Sequence, residues 1–257
     1  MARRLTLPSP PVLDRVGRPD RAAWALVVAL VVASLAATTV LAAGKPGYPT
    51  RVTWGAASWQ VKTSTAAVGP GPNIFSALNV DVDNNGYLHL RISQQAGKWT
   101  CAEVIGPTSF GYGTYSFVVR TPLDGLDPNA VLGLFTWSDK APYAHREIDI
   151  EVARWGDAAD SANAQFVVQP YNVTNHLVRF TEPGDVRTRQ QFTWAATNVT
   201  WVATNLETNG EIARYVYSGT DVPKPGDERV RLNFWLFRGT APAAAAEVVV
   251  ESFSFTP

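Results

Sequence analysis

The chain has 257 residues, of which 46% are apolar and nine are tryptophan, and its 22 basic side chains equal its 22 acidic ones in number. This length suits one large all-β domain, and the balanced charge gives no reason to expect nucleic acid or an anionic membrane surface as a partner. A single cysteine, Cys101, excludes an intrachain disulfide, and three scattered histidines form no transition-metal motif.

Residues 1–44 are predicted to form a targeting segment that is separate from the folded domain. Residues 1–21 contain five arginines and four prolines, and residues 22–43 are uncharged and mostly apolar. Such a run fits a secretory signal peptide, but about 20 apolar residues also suffice to anchor a chain in a bilayer. Both interpretations predict that residues 45–257 are exported, either secreted or held at a membrane by residues 22–43.

Residues 45–257 carry about ten short runs of β-branched and aromatic residues between turn signals. They include GYLHLRIS, GTYSFVVRT, VLGLFTW, REIDIEVA, AQFVVQPY and RVRLNFWLF. No internal repeat and no long amphipathic helical pattern interrupts them. The pattern predicts one all-β domain, a sandwich or jelly roll, over residues 45–257.

One of these runs, HREIDIEVARWG, alternates acidic and apolar residues. Residues two apart share a face of a strand. The side chains predicted to share one face are His145, Glu147, Asp149 and Glu151. The apolar residues between the acids are predicted to face the core, which leaves the acids facing either solvent or a cleft.

Three interpretations of the acidic face are compatible with the residues. It is a solvated strand face, although three like charges about 7 Å apart repel one another. It binds calcium, although a straight strand spreads its ligands over about 10 Å or more. Or it hydrolyses glycosides, which in retaining enzymes requires two carboxyl groups about 5–5.5 Å apart. Long side chains at Glu147 and Glu151 can converge if the strand is curved.

The segment EIDIE resembles the active-site strand of glycoside hydrolase family 16, which includes bacterial lichenases and laminarinases. Flanking segments are similar to that family in the same order, among them KWTCAEVIGPTSFGYGTYSFVVR, VLGLFTW and RVRLNFWLF. The resemblance implies a β-jelly roll of two curved antiparallel sheets with a concave glycan-binding cleft. It also implies that Glu147 is the nucleophile, Asp149 assists and Glu151 is the general acid and base.

The same resemblance implies which residues bind the glycan. They are aromatic or polar residues on the strands beside the acids: Glu103, Phe135, Trp137, His145, Gln169, Asn233 and Trp235. The chain departs from lichenases at several positions, among them two in the cleft that bear on binding. His145 stands where they carry a tryptophan, so it is either a surface histidine or a sugar contact, and Ile105 replaces an arginine, which removes hydrogen bonds to hydroxyl groups.

The sequence thus predicts an exported, monomeric, retaining endo-β-glycanase that acts on a β-1,3- or mixed β-1,3/1,4-glucan and needs no cofactor. A structural calcium ion is compatible with the resemblance, but no ligands can be assigned to it. The alternatives are a transglycosylase that uses the same residues and a non-catalytic glycan-binding protein on the same scaffold.

Overall fold

The computed structural model describes residues 50–257. The predicted targeting segment, including the signal or anchor at residues 22–43, therefore lies outside the described residues. From Thr50 to the end of the chain, no helix is long and apolar enough to cross a membrane.

The described residues form strands joined by short connections, with only three short 3-10 turns. The strands are β1 Arg51–Trp54, β2 Ala57–Val61, β3 Val80–Val82, β4 Leu88–Gln95, β5 Lys98–Thr100, β6 Ala102–Ile105, β7 Gly113–Val119, β8 Ala130–Trp137, β9 Ile148–Val152, β10 Ala164–Val168, β11 Leu177–Phe180, β12 Thr188–Trp194, β13 Val199–Asn205, β14 Gly210–Tyr217, β15 Arg229–Leu236 and β16 Ala246–Thr256. The 3-10 turns are Ala77–Asn79, Ala144–Arg146 and Phe237–Gly239. The predicted all-β fold class is confirmed.

The strands assemble into two antiparallel sheets. The first sheet has the order β1-β2-β6-β15-β8-β9-β10-β11, and the second has the order β14-β13-β12-β7-β16-β4-β3, with β5 paired to β4. Strands distant in the chain therefore lie side by side, as β15 does between β6 and β8. This arrangement is the jelly-roll sandwich predicted from the sequence, and it places the acidic strand β9 inside the first sheet, between β8 and β10.

The core fills the space between the two sheets, and the alternation along β9 follows from it. Ile148 and Ile150 are fully buried and Val152 nearly so. Across the core, the second sheet contributes large aromatic side chains, including Phe192 and Trp201. Because successive side chains of a strand point to opposite faces, burial of the three aliphatic residues directs the acids of β9 away from the core.

Trp201 ties the second sheet to the acidic strand. Its buried indole Nε1 on β13 donates a hydrogen bond to the backbone oxygen of Asp149 at 3.0 Å. Replacing Trp201 by phenylalanine keeps an aromatic ring but removes the donor, so we expect the free energy of unfolding to fall by about 1–3 kcal/mol. Urea unfolding measures this loss. The control Trp99→Phe changes a half-buried indole on β5 and should stay within about 0.5 kcal/mol of the wild type; equal losses would show that the hydrogen bond contributes nothing.

Candidate active site

The acids of the β9 segment line a cavity of about 420 Å³ on the face of the first sheet that is turned away from the core. Asp149 and Glu151 project from β9, and Glu147 lies one residue before the strand begins. The residues that line the cavity are Lys62, Gly69, Pro70, Glu103, Gly133, Phe135, Trp137, Asp139, Glu147, Asp149, Glu151, Arg231, Asn233 and Trp235. The three carboxyl groups thus face a common concave space.

The predicted strand alternation does not extend back to His145. Residues 143–146 all have left-handed backbone conformations, with φ between 47° and 62°, a region that non-glycine residues rarely adopt. Two hydrogen bonds hold this left-handed turn against β8 and the residue after it: Ser138 N donates to His145 O at 2.7 Å, and Thr136 Oγ1 donates to Arg146 O at 2.8 Å. The prediction that His145 shares the face of the acids through strand geometry is therefore wrong.

His145 is not among the residues that line the cavity, but it contacts one that does. Its ring stacks on the indole of Trp137, with ring centroids 4.2 Å apart and planes 5° from parallel. Its Nδ1 lies 2.9 Å from the backbone oxygen of Ser138. His145 therefore supports the ring of Trp137, and a direct contact with a sugar stays a prediction.

The other predicted binding residues fall into two groups. Five of them line the cavity together with the acids: Glu103, Phe135, Trp137, Asn233 and Trp235. Gln169 does not, because β10 ends at Val168 and Gln169 is the next residue. Its Nε2 donates a hydrogen bond to Asp149 Oδ2 at 3.2 Å, so the structure places Gln169 as a partner of an acid rather than as part of the cavity wall.

Sequence reasoning missed an ion-pair network along the cavity wall. Arg231 Nη1 donates to Glu103 Oε1 at 3.2 Å and Arg231 Nη2 donates to Asp139 Oδ1 at 3.0 Å. Lys62 Nζ lies 2.7 Å from the other oxygen of Glu103. The signal was present in the sequence, since Arg231 lies two residues before the predicted cleft residue Asn233 and must share its face of β15.

Arg231 also bears on the expectation drawn from Ile105. In the antiparallel pairing of β15 with β6, Arg231 stands directly opposite Ile105. The arginine that the resemblance places at position 105 is absent, but a guanidinium from the neighbouring strand reaches the cavity. The predicted loss of hydrogen bonds at position 105 stays a prediction, because this guanidinium is paired with Glu103 and Asp139.

Burial and the negative charge of Glu151 together raise the pKa of Glu147 to about 8. A hydrogen bond with Asp149 and the positive charge of Arg231 act in the opposite direction on this pKa. The pKa of Asp149 itself is raised well above its usual value by burial and by the charges of both glutamates. At neutral pH this group of carboxyls therefore retains protons that exposed acids would lose.

Burial also raises the pKa of Glu151, to about 7. A hydrogen bond from Gln165 and the charge of Arg179 oppose this rise. Both glutamates therefore keep a proton to higher pH than exposed carboxylic acids do, so the pair can supply both an acid and a base near pH 7.

The part of the chain from Thr50 onward contains no group of three or more His, Cys, Asp or Glu side chains arranged to hold a metal ion.

The fold resembles that of glycoside hydrolase family 16 enzymes, and the comparison with solved structures confirms this resemblance. The β-glucanase of Bacillus licheniformis superposes with a TM-score of 0.62 at 18% identity, over 80% of this chain and 94% of that one. A family 16 enzyme from the mixed-linkage glucan locus of Bacteroides ovatus, in complex with a G4G4G3G product, superposes with a TM-score of 0.59 at 12% identity, over 77% of this chain and 94% of that one. The apo Crh5 transglycosylase gives a TM-score of 0.51 at 17% identity, over 80% and 86%.

No protein-family sequence model and no curated protein sequence matches the chain. The likeness therefore rests on the three-dimensional arrangement, and at these identities it establishes the fold.

Proposed function

We propose that the protein is an exported, retaining endo-β-glycanase that hydrolyses a β-1,3- or mixed β-1,3/1,4-glucan. The observation that carries the proposal is the convergence of Glu147, Asp149 and Glu151 on one cavity walled by aromatic side chains. Retaining glycosidases use a carboxylate nucleophile and a carboxylic acid that flank one glycosidic bond. A pair of glutamates with raised pKa values supplies both species near neutral pH.

In the proposed mechanism, Glu147 attacks the anomeric carbon while Glu151 transfers its proton to the departing glycosidic oxygen. The bond from the anomeric carbon to that oxygen breaks, and a covalent glycosyl ester forms on Glu147. Glu151, now a carboxylate, then removes a proton from water, whose oxygen attacks the anomeric carbon and releases Glu147. Asp149 remains protonated in its buried position and hydrogen bonds with Glu147, which stabilises the anionic form of the nucleophile.

The charges of the cavity favour a neutral glycan as substrate. Its two basic side chains, Lys62 and Arg231, are both engaged by acids, Glu103 binding both of them and Asp139 the second. Neither is free to receive a carboxylate or sulfate group of an acidic polysaccharide. The aromatic rings of Trp137 and Trp235 offer flat surfaces for the apolar faces of sugar rings.

The solved structures support the choice of a glucan. The Bacillus licheniformis protein is a β-glucanase, and the Bacteroides ovatus enzyme was captured with a product of the mixed-linkage class. The Crh5 transglycosylase has the same fold, so transfer to a second sugar is the close alternative. In that reaction the glycosyl ester on Glu147 passes to a sugar hydroxyl in place of water.

The experiment that tests the proposal is incubation of the purified protein with a panel of polysaccharides. The panel contains a β-1,3-glucan, a mixed-linkage β-glucan and an acidic polysaccharide, and new reducing ends are measured. Hydrolysis confined to the neutral glucans is expected. Binding to a glucan with no new reducing ends would identify a glycan-binding protein, and longer oligosaccharides from a labelled acceptor would identify a transglycosylase.

Export is tested separately. Fractionation of the producing cells and sequencing of the mature N-terminus distinguish a secreted protein that has lost residues 1–44 from one that is anchored through residues 22–43. Full-length protein in the cytosol would contradict export.

The raised pKa values predict an unusually high pH optimum for a pair of carboxylic acids. Activity requires one proton on the glutamate pair, so kcat/KM should rise as Glu147 becomes a carboxylate and fall as Glu151 loses its proton. Because the pKa values of the pair are raised to about 7 and about 8, both limbs should lie near neutral pH. Initial rates on a soluble glucan from pH 4 to 10 measure the profile. As a control, Glu182→Gln removes a buried acid whose pKa is also raised to about 7 but which lies outside the cavity, and it should leave the profile unchanged. An optimum near pH 4 to 5 would contradict the prediction.

A further inference from the structure

Glu151 is held by one side chain from the neighbouring strand. In the antiparallel pairing of β9 with β10, Gln165 stands directly opposite Glu151, and its Nε2 lies 2.7 Å from Glu151 Oε2. On the other side of β9, the residue opposite Glu151 is Gly133 of β8, which has no side chain. Gln165 is 5% exposed, so this hydrogen bond is shielded from water.

The orientation of the Gln165 amide is fixed by its other neighbours. Its Oε1 accepts a hydrogen bond from the indole Nε1 of Trp155 at 3.2 Å and another from Nη1 of Arg179 at 3.3 Å. Indole and guanidinium groups only donate hydrogen bonds. A flipped amide would turn its NH₂ group toward two donors and its oxygen toward a carboxylate, so the NH₂ group must face Glu151.

The two donors are themselves immobilised. Arg179 Nη1 also donates to the backbone oxygen of Ala153 at 3.0 Å, and its Nη2 lies 2.5 Å from Asp160 Oδ2. The indole of Trp155 packs against Trp235 of the cavity wall, with ring centroids 6.1 Å apart. The Gln165 amide therefore meets Glu151 in one preset orientation.

This orientation determines which oxygen of Glu151 carries the proton. In a neutral carboxyl group the carbonyl oxygen is the better acceptor, so Oε2, which accepts from Gln165, is the carbonyl oxygen and the proton lies on Oε1. Oε1 accepts no hydrogen bond from the described residues, and Glu151 lines the cavity. We propose that Gln165 is a positioning residue that directs the acidic proton of Glu151 into the cleft and then stabilises the carboxylate that remains.

The inference rests on the proposed function and specifies its proton-transfer step. The proton on Oε1 passes to the glycosidic oxygen as that oxygen takes the electron pair of the breaking bond. The negative charge left on Glu151 is met by the Nε2–H of Gln165 and by Arg179 beyond it. Glu147 and Asp149 of the same segment are acids. The charged groups of the cavity wall, Lys62, Glu103, Asp139 and Arg231, pair with one another, so Gln165 supplies the hydrogen bond that holds the carboxylate in place.

Gln165→Met tests this role, because methionine has a similar length but no amide. We expect kcat on a glucan to fall by about 10- to 100-fold with KM nearly unchanged, since proton delivery contributes about 10²- to 10⁴-fold to such reactions. An aryl β-glycoside with an acidic phenol needs no protonation of its leaving group. On that substrate the rate of glycosyl-ester formation on Glu147 should fall by less than about threefold. The basic limb of the pH profile should move to higher pH, because the Glu151 carboxylate has lost its hydrogen-bond donor. The matched control is Gln191→Met, on β12 of the second sheet, which should leave kcat and the pH profile unchanged.

Equal losses on both substrates with an unmoved basic limb would show that Gln165 is merely structural and would overturn the inference. A second measurement does not depend on activity. In protein labelled with ¹³C at glutamate Cδ, with the signal assigned by Glu151→Gln, the titration midpoint of Glu151 should move to higher pH in Gln165→Met. If the wild type cleaves no glycan, the proposed function fails, while an unmoved midpoint removes the role of Gln165 whatever the activity.

Discussion

Replacing Glu147 by glutamine is expected to lower kcat/KM on a β-glucan by about 10⁴-fold and to leave the protein folded. Glutamine has the shape of the glutamate side chain, but its amide cannot form the glycosyl ester. The change also removes a buried acid with a raised pKa, so the free energy of unfolding at neutral pH should not decrease. Reducing-end assays and urea unfolding of the same preparation measure both effects.

The role of Glu147 as nucleophile is tested by chemical rescue. In Glu147→Ala, azide can occupy the vacated space and attack the anomeric carbon of an aryl β-glycoside directly. A single displacement inverts the configuration, so the expected product is the α-glycosyl azide. Full activity of Glu147→Gln, or a β-glycosyl azide from Glu147→Ala, would contradict the assignment.

Replacing Glu151 by alanine is expected to lower kcat on a β-glucan by about 10³-fold, since the sugar leaving group then departs without a proton. An aryl glycoside with an acidic phenol should still form the glycosyl ester on Glu147, so a burst of phenol precedes slow turnover. Azide, which needs no general base, should then release the ester as the β-glycosyl azide. Stopped-flow absorbance and NMR of the product measure the burst and the configuration.

The two rescue experiments together decide which glutamate has which role. The pKa values of Glu147 and Glu151 are both raised, to about 8 and about 7, so the pKa values alone do not assign the acid. Rescue products with the opposite configurations would exchange the roles of the two residues. If neither variant lost activity, neither glutamate would have a catalytic role, and the proposed mechanism would be wrong.

Several features of the site could be predicted from residue types and their spacing. The two-residue period of EIDIEV predicts that the aliphatic and acidic residues occupy opposite faces, and the structure buries Ile148 and Ile150 while the acids line the cavity. Cleft positions on β8 and β15 follow from the same period, as Trp137 and Asn233 illustrate. The two-residue period does not extend to His145, because a left-handed turn precedes the strand there. Contacts with β8 stabilise this turn, and they leave no pattern in the neighbouring sequence.

Other features depend on which strands become neighbours. Gln165 has an ordinary place in an apolar run, and its importance follows only from the register that sets it opposite Glu151. Arg231 reaches the cavity from β15, which is adjacent in the sheet to β6 although the two strands are more than a hundred residues apart along the chain. Neither partner can be identified until the sheet order is known.

By itself the sequence determined the all-β class, the alternation along the acidic strand and the set of carboxyl groups that the proposed mechanism uses, because strand periodicity is a local property of the backbone. The tertiary structure alone decided how much water the acids lose, which groups hydrogen bond with them and where their protons reside. Desolvation and long-range pairing are properties of the packed sheets. They arise only when strands distant along the chain have met.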